Sequence, residues 1–114
     1  MKRSGAVTLL SALAQDSRLG IFMLLAGRGS AGMTVGTIGR RLSFSATTLS
    51  FHLKELRAAK LVKARKDGRH VYYAADFKTM AALIEYLTLK GATRIPHAGR
   101  ALSRERCPDQ QIHT

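Results

Sequence analysis

A mainly α-helical domain closed by one β-hairpin is the fold this sequence predicts, and three observations predict it. Apolar residues recur at helical spacing through most of residues 6–59 and again over 77–89. Between those stretches, in "LVKARKDGRHVYYAA", β-branched and aromatic residues flank Asp67-Gly68, one of the strongest short hairpin signals. Ser, Thr and Asp stand where helices need N-caps, and glycines stand where they must stop. The 114 residues suit one domain whose core is sufficient without a wide margin, so self-association is expected to complete it. At 46% hydrophobic residues, the composition is not that of a disordered chain.

The first helix is expected over about Ala6–Gln15, with Val7, Leu10 and Ala14 on one face and Leu9 and Leu13 beside them. Two apolar faces mean that it is buried or shared with a partner. Asp16 or Ser17 caps a second helix, Arg18–Ala26, whose spaced apolar set is Leu19, Phe22, Met23 and Ala26. "GRGSAG", residues 27–32, ends it. Thr34 caps a short helix, Val35–Leu42, which Gly36 and Gly39 each weaken by roughly 1 kcal/mol relative to Ala. "SFS" turns the chain, and Ser45 caps a fourth helix, from Ala46 to about Ala59. Strands Leu61–Lys66 and Arg69–Ala74 follow, joined by a type I′ turn at Asp67-Gly68. Asp76 caps the last helix, Phe77–Leu89, whose apolar set of Phe77, Met80, Ala81, Ile84, Leu87 and flanking Leu83 is broader than one core face needs. The final stretch holds Gly91, Pro96, Gly99 and Pro108 with little periodicity. Residues 1–91 are therefore the expected domain and 92–114 a basic, mobile tail.

Helix, helix, helix, helix, hairpin, helix is the order of a winged helix-turn-helix. Charge points the same way. Nineteen Lys+Arg face seven Asp+Glu, a net +12, which favours polyanions, nucleic acid first. Residues 40–70 hold nine of those cations against two acidic residues. A generally basic surface does not predict such clustering.

Within that basic block, "FSATTLSFHLKEL" has one apolar stripe, Ala46, Leu49, Leu53 and Leu56. Opposite it stand Thr47, Ser50, Phe51 and Lys54. Hydroxyls there can meet base edges or phosphates, and Phe51 fits an apolar contact to a thymine methyl. Ser45, Thr47, Thr48, Ser50, Phe51, His52, Lys54 and Arg57 are the candidate DNA-binding residues of this helix, with Arg40 and Arg41 from the preceding one. Lys54 and Arg57 suit phosphate; His52 lies near the apolar edge, where structural hydrogen bonding competes with DNA contact. In the wing the candidates are Arg65, Lys66, Arg69, His70 and Tyr72, beside Lys63. Arg65 and Arg69 are favoured for phosphate or a narrow minor groove. Tyr72 and Tyr73 point to opposite faces, so one is core.

"LAQDSRLGIFMLLA" and "SATTLSFHLKELRAAKLVKARKDGRHVYY" together resemble the ArsR/SmtB-type winged-helix regulators. The second block is similar to the family's Ser-x-x-Thr-Val-Ser-x-His-Leu-x-x-Leu-x-x-Ala-Gly-Leu-Val followed by Gly-Arg-x-x-x-Tyr, through Ser45, Thr48, Ser50, His52, Leu53, Leu56, Ala59, Leu61, Val62, Gly68, Arg69 and Tyr73. The resemblance spans residues 12–73 and implies a homodimeric transcriptional repressor on a double-stranded operator, an inverted repeat, with one recognition helix per major groove. It implies a dimer joined through the first and last helices; Val7, Leu10, Ala14, Met80, Leu83, Ile84 and Leu87 are the expected dimerisation residues. Family members answer to metal, metalloid or redox signals, but Thr34, Val35 and Gly36 stand where many carry Cys-Val-Cys. Asp76 matches the first ligand of another group's zinc site, while Lys78 and Leu89 replace its histidines. No metal site or cofactor is expected, and the effector is left open.

The sequence leaves two alternatives: a metal- or thiol-responsive sensor using Cys107, His97 and His113 of the tail, and a basic RNA-associated module. Seven aromatics with only Tyr72-Tyr73 adjacent argue against RNA platforms. An enzyme is not expected, since no paired carboxylates, nucleophile–base set or phosphate loop is present. No apolar run approaches the ~20 residues of a membrane span, and Lys2 and Arg3 precede a mixed stretch unlike a signal peptide. A cytoplasmic location without a membrane partner is the simplest expectation.

Overall fold

A computed structural model describes residues 1–90. Five α-helices and a three-stranded antiparallel sheet follow in the order α1 (Arg3–Leu13), α2 (Asp16–Arg28), β1 (Met33–Thr34), α3 (Val35–Leu42), α4 (Ala46–Ala58), β2 (Val62–Asp67), β3 (His70–Ala75) and α5 (Phe77–Glu85). The winged helix-turn-helix expected from the sequence is present. A 3₁₀ turn, Gly29–Ala31, links α2 to β1, and α5 continues into a wider π-helical turn, Tyr86–Lys90. Among the described residues no single helix is long and apolar enough to cross a membrane.

The core is built where α2, α3 and α4 meet the sheet. Ile21, Leu25, Ile38, Leu49, Leu53, Leu56 and Leu61 are its fully buried side chains. Ala6 and Leu9 close it from α1, and Leu83 from α5. The inward face of α2 is Ile21, Phe22 and Leu25, while Leu19 and Met23 are exposed. The set expected from spacing was therefore wrong at those two positions. "LGIFMLLA" is apolar almost all round, so periodicity alone does not choose its inner face. The α2 cap also differs: the Gln15 side chain accepts from the Arg18 N–H at 2.9 Å, one residue before the shorter Asp16 and Ser17. Helix α1 begins three residues early and ends at Leu13, because Ala14 already leaves helical geometry (φ −83°, ψ 44°).

The caps of α3, α4 and α5 are those read from the sequence. Thr34 accepts from Thr37 N–H, Ser45 from Thr48 N–H, and Asp76 from the N–H groups of Lys78 and Thr79.

The two-residue strand β1 had no sequence signal of its own. It pairs with β3 through Met33–Tyr73 and Thr34–Tyr72, giving the strand order β1-β3-β2. Gly32 makes that approach feasible: its φ is +71°, and a Cβ there would lie 2.5 Å from the Tyr73 carbonyl oxygen.

The hairpin turn corrects the expected one. Asp67 pairs with His70, so the central residues are Gly68 and Arg69. Only Gly68 has positive φ (+65°), the pattern of a type II′ turn with Gly first. An Asp67-Gly68 turn would set Arg65 opposite His70; the observed register sets Arg65 opposite Tyr72 and Ala64 opposite Tyr73. Tyr73 accordingly packs on the core side, and Tyr72 lies on the other face with Arg65 and Thr34.

Candidate nucleic-acid interface

The turn between α3 and α4 sets the angle at which α4 is presented. Ser43 adopts left-handed geometry (φ 62°), and its N–H and that of Phe44 both donate to the Gly39 carbonyl. A side chain at Gly39 would crowd the Phe44 carbonyl, 3.2 Å from an ideal Cβ. Phe44 then turns inward and packs against the core.

On α4 the inward residues are Leu49, His52, Leu53 and Leu56. Ala46, counted with that stripe by spacing, is exposed in the first turn. The outward residues are Thr47, Ser50, Phe51, Lys54 and Arg57, all exposed. Phe51 is 56% exposed, on the outer face where the helical wheel put it. Among the described residues, the side chains of Thr47, Ser50, Lys54 and Arg57 make no hydrogen bond or ion pair. Ser45 and Thr48 are exposed but tied to each other: the Ser45 hydroxyl donates to Thr48 Oγ1 at 3.0 Å while accepting from the Thr48 N–H.

His52 takes the structural one of the two roles left open for it, without the hydrogen bond expected there among the described residues. It is 8% exposed, with its ring 6.1 Å from Phe44 and 5.5 Å, edge-on, from Phe51. A side chain so buried cannot reach a groove; it supports the ring that does face outward. Its Nδ1 has no hydrogen-bond partner among the described residues.

The wing divides in the same way. Lys63, Lys66, Arg69 and His70 are exposed. Arg65, expected with Arg69 to meet phosphate or a narrow minor groove, is engaged inside the protomer. Its Nη2 donates to the Ala31 carbonyl at 3.1 Å, its guanidinium lies 4.9 Å over the Tyr72 ring, and its Nη1 is 3.6 Å from Asp67. The observed register brings Tyr72 across from it. Arg65 thus fastens the wing to the 3₁₀ turn. On α3, Arg40 donates to Thr37 Oγ1 at 3.2 Å, and Arg41 is exposed.

One cationic side chain was missed by sequence reasoning. Arg28, at the end of α2, lines a cleft with Arg41, His70, Tyr72, Thr34 and Thr37. These residues are scattered over residues 28–72, and only folding brings them together. Among the described residues no three His, Cys, Asp or Glu side chains converge as a metal site would require. Cys107, His97 and His113 lie outside the described residues, as does the proposed boundary at residue 91.

The expected dimerisation residues also separate. Val7, Leu10, Ile84 and Leu87 are exposed, as is Ala14 just beyond α1, while Met80 is partly buried. Leu83 is 3% exposed and belongs to the protomer core, which corrects its assignment to the partner face.

Comparison with known proteins places this geometry. Residues 13–65, which contain the helix-turn-helix, match a family model described as a helix-turn-helix domain. The chain is 38% identical over 82 residues to the transcriptional activator HlyU of Vibrio cholerae, spanning 72% of this chain and 73% of that one. The solved HlyU structure superimposes with a TM-score of 0.62 at 33% identity, over 78% of this chain and 97% of HlyU. A homodimeric winged helix-turn-helix DNA-binding domain from Mycobacterium bovis, described as "a possible ArsR-family transcriptional regulator", gives 0.62 at 26% identity, over 79% and 82% of the two chains.

Proposed function

This chain belongs to the ArsR-type winged helix-turn-helix transcriptional regulators, and from that premise we propose that it is a homodimeric repressor that reads an inverted-repeat DNA operator. The outer face of α4 carries the reading. It is exposed, basic and rich in hydroxyls, and its polar side chains make no hydrogen bonds within the described protomer. Such a face suits a major groove, which admits one α-helix. Lys54 and Arg57 fit phosphates flanking the groove, Thr47 and Ser50 fit base edges or phosphates, and Phe51 fits a thymine methyl. Lys66, Arg69 and His70 extend the contact along the wing.

The dimer rests on α1 and α5, which flank one groove and expose Val7, Leu10, Ile84 and Leu87. Large apolar side chains exposed on both helices suit a partner face. A two-fold dimer sets its recognition helices on half-sites about one helical turn apart. A DNA operator as partner also implies residence with the chromosome, in the cytoplasm.

HlyU of V. cholerae bears the name of an activator, so the sign of regulation needs its own test. A promoter fusion is expected to lose expression when this protein is supplied, and increased expression would remove the repressor role while leaving DNA binding intact. Binding is tested by one salt titration comparing duplex DNA with single-stranded RNA of equal length. Tighter binding to the duplex, weakening linearly on logarithmic axes, is expected. Tighter binding to RNA would favour the RNA-associated alternative and sink this one.

A further inference from the structure

We propose that the cleft between α3 and the outer face of the wing is a binding site for a tetrahedral oxyanion, phosphate first. The cleft has a volume of about 390 Å³, and its side-chain walls include Arg28, Arg41, His70, Tyr72, Thr34 and Thr37. Among the described residues no carboxylate lines it. The nearest acid on that sheet face, Asp67, lies across from His70 but is paired with Arg65 at 3.6 Å.

The cleft offers donors. Arg28 is steadied by its Nε, which donates to the Gly32 carbonyl at 3.4 Å, and both of its Nη groups lack partners among the described residues. That bond also occupies the carbonyl at the cleft wall. Arg41 makes no ion pair or side-chain hydrogen bond among the described residues. Thr37 Oγ1 accepts from Thr34 Oγ1 at 3.0 Å and from Arg40 at 3.2 Å. The Thr37 hydroxyl rotates, so its proton can turn toward a bound oxyanion. Two guanidinium groups and a hydroxyl donor, with no carboxylate, select an anion.

The walls are also set in advance. Tyr72 is held beneath the Arg65 guanidinium, which is itself fixed to the Ala31 carbonyl, and the His70 ring meets Tyr72 edge-on at 6.3 Å. Preset walls lower the ordering cost of binding. The oxyanion comes either from the DNA backbone, in which case the site rests on the operator reading above and deepens it, or from a free oxyanion acting as ligand.

The test uses the full chain and two probes, inorganic phosphate and a duplex. Inorganic phosphate, titrated at constant ionic strength against chloride, is followed through the Nε–H resonances of Arg28 and Arg41. The double variant Arg28→Gln/Arg41→Gln is compared with the wild type on both probes. Because Arg28 also braces Gly32, Arg41→Gln alone is measured in parallel, and Arg41→Lys tests rescue by charge. A salt slope on duplex DNA lower by about one in the variants assigns the site to a backbone phosphate. An unchanged slope with saturable phosphate shifts, lost in the variants, assigns it to a free oxyanion. Both outcomes support the site. Unsaturable, uniform shifts overturn it, either with an unchanged slope or where no duplex binds. A protein that binds no duplex yet saturates with phosphate overturns the operator reading and leaves the site standing.

Discussion

Replacing Arg65 with Ala separates a clamp from a phosphate contact. The side chain makes a hydrogen bond to the Ala31 carbonyl at 3.1 Å, a cation–π contact at 4.9 Å and a 3.6 Å ion pair with Asp67. It is about half exposed, with Asp67 more so, at 52% and 70%. Exposure discounts every contribution: roughly 0.5–1 kcal/mol for the hydrogen bond, about 0.5 for the cation–π contact and at most a few tenths for the ion pair. Arg65→Ala should therefore cost about 1–2 kcal/mol. In a domain of this size that lowers Tm by roughly 5–10 °C. Thermal unfolding followed by circular dichroism measures it, and hydrogen exchange in β2 and β3 should rise locally. A DNA titration on the same variant should show modestly weaker binding with an unchanged salt slope, because the clamp acts on the shape of the wing. An unaltered Tm combined with a slope reduced by about one would refute the clamp and return Arg65 to the DNA backbone.

Lys60 has φ +65° at the end of α4, where the family pattern has glycine. Lys60→Gly should relieve that geometry and raise stability by about 0.5–1 kcal/mol in urea unfolding, and destabilisation would contradict it. Phe51→Ala should lower discrimination at one thymine position by roughly 1 kcal/mol in competition binding, while equal loss on all sequences would mean a packing role. Ile84→Glu should sediment as a monomer with helical content retained. Leu83→Ala should stay dimeric and lose about 2–4 kcal/mol of folding stability; the reverse pattern would exchange the roles assigned to these neighbours.

Much of this architecture was legible because local chemistry and the fold agree. Thr34, Ser45 and Asp76 each cap the helix their position announces. The outward set on α4 followed from spacing, since Leu49, Leu53 and Leu56 leave only one direction for Thr47, Ser50, Phe51 and Lys54. Failures came where information is not local. The inner face of α2 is ambiguous in a run apolar on all sides, and the neighbours choose it. Strand β1 is two residues long and exists because β3 offers an edge. One step in the turn moved Arg65 opposite Tyr72, and that pairing gave Arg65 partners inside the protomer. His52 reads as polar, yet its place beside Leu53 puts it inside, between Phe44 and Phe51. Arg28 gave no signal because its companions in the cleft are distant in sequence.

Reading an operator requires the outer face of α4 to enter a major groove. Chemical-shift mapping of the isotope-labelled protein on duplex DNA tests it most directly. The largest changes should cluster on residues 47–54, with a second set in the wing at Lys66, Arg69 and His70, while the Leu49 and Leu53 side chains shift little. Largest changes on α1 and α5, with residues 47–54 unmoved, would contradict it.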